Sequence, residues 1–484
     1  MHFLNREIWE NKIFNGTWTG IGGSFTSREV ATQNELGHFG QASAEDVVNS
    51  SRDAKKAQKE WMKLSYQERS KIFENAARIA EENAEEIIIW LIKESGSLRL
   101  KAQFEVQLTI QTLKNAISLP ASDQGTLLPT SKNKLSLAKR VPLGVVGVIA
   151  PFNFPLYLSI RAVAPALALG NSVILKPHEN TAVCSGFVIA RIFELAGLPK
   201  GLLHVLPGGA EVGEALTLDT NISSIHFTGS TQVGRIIGAN AGRTLKKLSL
   251  ELGGKNSLII LEDANIEIAA ENIVWGAFLH SGQICMSSGK ILIHEKIYEV
   301  LKKRVIEKVA NLEMGNPMQD NVTLGPLINS KQSVRVENLV KQAVEFGAKL
   351  EIGGEAKGVF FEPTVLADVT KSNPIFSEEI FGPVAVLISF ADDAEAIELA
   401  NEGEYGLSAG IITSDVGRGI KIGESLKVGL LHINDQTVND ETINPFGGMG
   451  ASGNGTRIGG PANLDEFTQW QWMTIQAEAP HYPF

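Results

Sequence analysis

The chain has 484 residues, 43% of them hydrophobic and 20% charged, with a formal net charge of -10 and only two cysteines. That length exceeds what one hydrophobic core supports and calls for two or three domains. An acidic balance without a basic, aromatic-laced stripe excludes nucleic acid as partner, and two cysteines exclude a disulfide framework. The segment from Met1 to Glu10 lacks the basic start and apolar stretch of a signal peptide, so a cytoplasmic location is expected.

From residue 43 to about 117 the chain reads as helices, because Val47, Val48, Ala54, Ala57 and Trp61, then Ile72, Phe73, Ala76, Ala77 and Ala80, recur at helical spacing. Val141 to Ile160 carries no charge and is long enough by count to cross a bilayer. Pro142, Gly144, Gly147, Pro151, Asn153 and Pro155 would break such a helix repeatedly, so the segment predicts a strand over 145–149 followed by a proline turn, and no membrane span. Apolar runs at 145–149, 172–175, 202–206, 224–227 and 245–252 alternate with helical stretches, the pattern of βαβ units in a doubly wound parallel sheet. A second α/β unit starts after Gly253-Gly254, with runs at 257–261, 291–293, 384–390 and 429–433, and ends near 450. In the tail, Trp470 and Trp472 alternate among β-formers, which predicts a strand pairing across a subunit or domain boundary, with an internal edge strand as the alternative.

The two cysteines sit in contrasting surroundings. Cys184 lies in Thr181–Ala190, a buried helical face, and reads as packing. Cys285 lies between Gly282 and Gly289 among Gln283, Ser287 and Ser288, where backbone freedom lets a thiol face a substrate. Ligands of open parallel sheets sit beyond the carboxyl ends of strands, which directs attention to the residues closing each one. Lys176 ends one strand and Glu179 follows; together they suit a ribose, with a solvated ion pair as the other reading. Gly208 and the pair Gly229-Ser230 occupy strand-to-helix turns where amides meet phosphate oxygens. Glu251 projects from the opposite face to Leu248, Leu250 and Leu252, so it is either a general base in a cleft or a solvated side chain. Asn153, between two aromatics and two prolines, is a rigid mount for an oxyanion donor, although asparagine is common in such turns. The one GxGxxG, Gly448–Gly453, follows no convincing strand and reads as a flexible loop.

Taken in order, PFNFP, LKPHE, FTGST, LELGGKN, GQICMS, EEIFGPV and PFGGMGASG resemble the NAD(P)-dependent aldehyde dehydrogenase superfamily. The likeness is closest to its benzaldehyde dehydrogenases, through LHVLPGGAEVGEAL, FTGSTQVGR, HINDQ, PFGGMGASGNG and YPF. The resemblance implies a Rossmann-like NAD-binding domain (1–122 and 142–252), an α/β catalytic domain (253–450) and a small β oligomerisation arm (123–141 and 451–484), assembled as a homodimer or homotetramer. It makes Cys285 the nucleophile, Asn153 with the Cys285 backbone N–H the oxyanion donors, and Glu251 the base that activates water on the thioester. On the cofactor side it places Lys176, Glu179, Gly208, Gly229, Ser230, Leu252, Gln332, Glu379 and Phe381, with NAD preferred to NADP because Glu179 would repel a 2′-phosphate. The substrate tunnel maps to Phe154, Tyr157, Leu158, Leu279, Ile284, Met286 and Phe446, a lining suited to a flat aromatic ring. Arg161 joins that face where many relatives are apolar, either to orient a ring substituent or to pair with a carboxylate, and Phe152 stands where tryptophan is frequent. No metal is expected. Two other activities stay open, transfer of the thioester to coenzyme A and broad aliphatic aldehyde oxidation. Beyond catalysis, a non-catalytic binding module of the same fold is the remaining alternative.

Overall fold

Strands that are apolar on both faces need cover on both sides. The fully buried strand Val145–Ile149 finds it inside a seven-stranded sheet of the computed structural model, which describes residues 3–130 and 133–484. Across that sheet run Lys247–Glu251, Ile222–Thr228, Val145–Ile149, Ser172–Lys176 and Leu203–Val205, all parallel. An antiparallel hairpin, Lys12–Phe14 and Trp18–Gly20, closes its edge. The helices Ala44–Trp61 and Tyr66–Glu82 each start with a capping box, Ser43 with Asp46 and Ser65 with Glu68. The helix Pro155–Ala168, with proline in its first turn, is buried almost throughout.

A second seven-stranded sheet runs Lys349–Ile352, Thr364–Ala367, Val384–Phe390, Ser288–His294, Asn256–Ile260, Ser408–Ile412 and Leu430–Ile433, parallel except at its first pair. Residues 252–255 carry the chain from the last strand of one sheet into the next, so Glu251 stands at their junction. The α/β, doubly wound reading therefore holds. The strands at 12–20, 364–367 and 408–412 were not expected, and Leu245, anticipated as strand, is 92% exposed in a left-handed turn (φ 54°). Among the described residues no helix is long and apolar enough to cross a membrane.

One expectation is met in its internal form and another needs correction. The tail strand Thr468–Ile475 pairs within the chain, antiparallel to Leu135–Pro142, which also pairs Gly125–Leu127, and it forms one edge of that three-stranded sheet. The segment Gly448–Gly453 is no free loop. Ser452 accepts the Leu252 N–H through its carbonyl (3.0 Å) and the Gly406 N–H through its hydroxyl (3.0 Å), while Thr231 donates to Ala451 O (3.1 Å). It is a clamp across the junction of the two sheets.

Candidate active site

Cys285 lies in a turn entering the strand Ser288–His294, and the three residues His280, Ser281 and Gly282 before it all have positive φ (49°, 55° and 69°). Two of these are not glycine, and such backbone costs about 1–3 kcal/mol each unless its surroundings over-determine it. They do. Gln283, fully buried, donates from Nε2 to His280 O (3.2 Å) and Pro326 O (3.3 Å) and accepts the Ile328 N–H (2.9 Å). Ser281 Oγ donates to Gly325 O (2.7 Å), and Asn256 Nδ2 to the carbonyls of Cys285 (2.8 Å) and Ser287 (2.9 Å). At Gly282 a Cβ would come within 2.1 Å of Gly382 O. The loop expected to be loose is therefore rigid, and its glycine is needed for close approach. The half-buried thiol is pushed up to about 12, by burial first and then by the carboxylates of Glu379, Glu251 and Asp440.

Glu251 is not solvated. It is 4% exposed, neither carboxyl oxygen has a hydrogen-bond partner among the described residues, and burial pushes its pKa well above the usual range despite Arg161 and Arg457. A buried carboxyl without a partner is costly to the fold and marks a group awaiting one. Asn153, 3% exposed, donates from Nδ2 to the carbonyl of Gln283 (2.9 Å), two residues before Cys285. Glu379 closes the site from the second sheet. Its carboxyl accepts the Gly254 N–H (3.2 Å) and fills the space over Gly253, where a Cβ would fall 2.4 Å from Oε2. Phe381 is held at φ 52° and its carbonyl accepts from Gln332 Nε2 (2.9 Å). The Phe152 ring sits between Phe381 (5.8 Å) and His178 (5.3 Å), tying that turn to the LKPHE segment.

Further along the strand ends, Lys176 and Glu179 form no ion pair with one another. Lys176 is half-buried, its pKa lowered by desolvation, and among the described residues its ammonium reaches only Pro177 O (3.4 Å); Glu179 is exposed. Ser230 is the N-cap of the helix Thr231–Arg243 and accepts the Val233 N–H (3.4 Å), while Gly229 donates to Glu251 O (3.0 Å). Leu252 packs on Gly234 in a surface hollow shared with Thr231, Glu404, Ala451 and Gly453. Gly208 stands apart: it is buried, and a Cβ there would strike Val212 at 2.3 Å, so tight helix packing accounts for this glycine. An unpaired cation at a strand end, a capped thirteen-residue helix opening beside it and the Glu379 carboxyl together fit a dinucleotide laid across the carboxyl ends of the first sheet.

Phe154, Tyr157, Leu158, Leu279, Ile284, Met286 and Phe446 all belong to the apolar cluster that Cys285 joins. Arg161, in contrast, is 5% exposed at its side chain and bonds Asp440, whose same oxygen accepts the Tyr157 hydroxyl (3.0 Å). Its guanidinium also donates to Ile458 O (3.2 Å) and lies over the Phe446 ring (4.6 Å). Of the two roles open to it, the carboxylate pair is the one formed. Sequence reasoning missed Asp440, Gln283 and Lys255. Lys255 is buried, its ammonium nitrogen has no hydrogen-bond partner among the described residues, and desolvation lowers its pKa to about 7.

Residues 18–473 match the model of the aldehyde dehydrogenase family. The chain is 48% identical to a vanillin dehydrogenase of an Amycolatopsis species, covering 100% of both chains. It is 47% identical to an NAD(+) benzaldehyde dehydrogenase of Pseudomonas putida, covering 99% of this chain and 98% of that one. Among solved structures, the salicylaldehyde dehydrogenase of Pseudomonas putida in complex with salicylaldehyde superposes with a TM-score of 0.94 at 35% identity, covering 98% of this chain and 99% of that one. The NAD+ complex of a Bacillus cereus aldehyde dehydrogenase gives 0.94 at 33%, covering 97% of each. The chain belongs to the aldehyde dehydrogenase family.

Proposed function

We propose that this enzyme oxidises a benzaldehyde-like aromatic aldehyde to the carboxylate with NAD. The observation that carries the reading is Glu251, a buried carboxyl with no hydrogen-bond partner among the described residues, at the junction of two sheets and acting on a half-buried thiol from across that junction. Cys285 adds to the aldehyde carbon as its thiolate, its proton having passed to solvent, giving a thiohemiacetal whose oxyanion accepts hydrogen bonds from Asn153 Nδ2 and the Cys285 backbone N–H. Each such donor is worth about 2.7–4 kcal/mol in the transition state. A dinucleotide, when bound, would accept the hydride that leaves the former aldehyde carbon, so that the thiohemiacetal becomes a thioester on Cys285. Glu251 then removes a proton from water as it attacks the thioester carbon, and the C–S bond breaks to return the thiol and release the acid. Burial makes Glu251 a stronger base than a solvated carboxylate, which suits that step.

Support for an aromatic ring comes from the apolar cluster around Cys285 and from the substrates named for the relatives. Support for NAD over NADP comes from the exposed carboxylate of Glu179 beside the Lys176 strand end. We place the enzyme in the cytoplasm as a homodimer or homotetramer, with Trp470 and Trp472, 55% and 70% exposed on an edge strand, as the association surface. The test is a matrix of NAD and NADP against benzaldehyde, salicylaldehyde and hexanal, read as NADH or NADPH absorbance. NAD with benzaldehyde should give the highest kcat/KM. A preference for hexanal removes the aromatic assignment, and one for NADP removes the role of Glu179.

A further inference from the structure

Lys101 and Glu105 lie one turn apart on the helix Arg99–Ser118, with side chains 1% and 0% exposed. Taking both charges out of water carries a desolvation cost that can offset their attraction, so burial alone does not account for the pair as a stabilising device. Its bonds all lead to one place. The Lys101 ammonium donates to Glu105 Oε2 (2.5 Å) and to the main-chain oxygen of Asn153 (2.7 Å), and sits 4.1 Å from the centre of the Phe154 ring. The other Glu105 oxygen accepts the N–H groups of Leu156 (2.9 Å) and Tyr157 (3.1 Å), two first-turn donors of the helix Pro155–Ala168 that have no partner within that helix. The pair thus grips the turn 153–157 at its carbonyl and at its amides.

Asn153 is bound at its far side as well. Its amide nitrogen donates one hydrogen to the carbonyl of Gln283, leaving the second for another acceptor. With the main-chain oxygen fixed by Lys101 and one amide hydrogen fixed by Gln283, the direction of the second hydrogen is set. We propose that Lys101 and Glu105 form a positioning pair that aims the Asn153 amide at the reacting oxygen. The proposal rests on the reading of Asn153 as an oxyanion donor. Helix capping alone needs only an acceptor at residue 105. The ammonium is the part that ties the acceptor to Asn153.

The test is a double-mutant cycle. Lys101→Met/Glu105→Gln leaves no lone buried charge, keeps an acceptor for Leu156 and Tyr157, and removes the ammonium with its bonds to Asn153 and Glu105 and its place over the Phe154 ring; Lys101→Met alone is the harsher companion. Both are measured in wild-type and Asn153→Ala backgrounds for kcat/KM with benzaldehyde, for KM of NAD and for the unfolding midpoint. We expect the paired variant to fold, to keep KM for NAD within about twofold, and to lose kcat/KM about thirtyfold, a partial loss beside the roughly hundredfold or larger loss of an oxyanion donor. In the Asn153→Ala background the same change should cost less than about threefold, since the group it aims is gone. An equal thirtyfold loss in both backgrounds overturns the proposal, because the pair would then act through something else. So does an unchanged kcat/KM for the paired variant when Asn153→Ala is itself crippled, and in that case the oxyanion reading survives. Full activity in Asn153→Ala removes that reading and the proposal with it.

Discussion

The Cys285 thiol should be almost inert in the free enzyme, and its alkylation rate tests the electrostatics of the site directly. Only the thiolate is alkylated, and its population falls tenfold for each unit by which the pKa exceeds the pH. Burial and the carboxylates of Glu379, Glu251 and Asp440 lift this thiol from 9.0 to about 12. Three units correspond to about a thousandfold fewer thiolates than an ordinary cysteine carries at any pH below both values. The measurement uses Cys184→Ser, so that one thiol remains, with iodoacetamide incorporation followed by mass spectrometry from pH 6 to 11 and no cofactor. The rate should climb tenfold per pH unit with no plateau in that range. Glu379→Gln should raise it at every pH, because that carboxylate is the largest of the charge contributions. A plateau at or below pH 9, or labelling at pH 7 as fast as a small-molecule thiol, would refute the argument.

Three other outcomes follow. Glu251 is held protonated above the unfolded value of 4.5, so the folded state keeps a proton that the unfolded state has lost, and from that pH upward its contribution destabilises the fold as pH rises. Glu251→Gln should therefore raise stability at pH 8 by on the order of 1–3 kcal/mol while slowing steady-state turnover about 10²–10⁴-fold after a stoichiometric NADH burst; unimpaired turnover would defeat the base assignment. Asp440→Asn leaves Arg161 buried without its counter-charge and should cost about 3–5 kcal/mol in chemical denaturation, and an unchanged midpoint would show that the pair contributes nothing. Glu179→Ala should raise the NADP to NAD ratio of kcat/KM about tenfold by removing a repulsive charge; a constant ratio would place discrimination elsewhere.

How far the sequence foretold this site depends on the range of the interactions involved. Strand ends are local, so Lys176, Glu251 and the Asn153 turn could be found from apolar runs and prolines alone. Alternation put Glu251 opposite Leu248, Leu250 and Leu252 but could not say which face is covered, because the cover includes Gly448–Gly453, some two hundred residues later. Lys101 and Glu105 show the same limit: at i and i+4 on a helix they look like a solvated surface pair, and nothing local announces that Asn153 and the helix after it bury them. The strand Ser408–Ile412 escapes the apolar pattern because serine and glycine weaken its signal, although the parallel sheet buries it fully. The glycines beside Cys285 suggested freedom, whereas Gly282 is required by the close approach of Gly382.

The three-stranded arm also sets the order in which the molecule can be completed. The strand Leu135–Pro142 is synthesised early, but its long partner Thr468–Ile475 pairs with it across a separation of 327 residues between Gln469 and Pro142. Until that partner arrives, the strand carries an open edge with exposed Leu135 at its end. The arm therefore belongs to the last events of folding, after both parallel sheets have had their chance to form, and the nascent chain passes through a stage in which a ready template for strand addition is uncovered. Chaperone dependence and aggregation in this enzyme should be governed by the time between those two strands, and a chain truncated before Thr468 should be far more prone to self-association than to loss of its catalytic geometry.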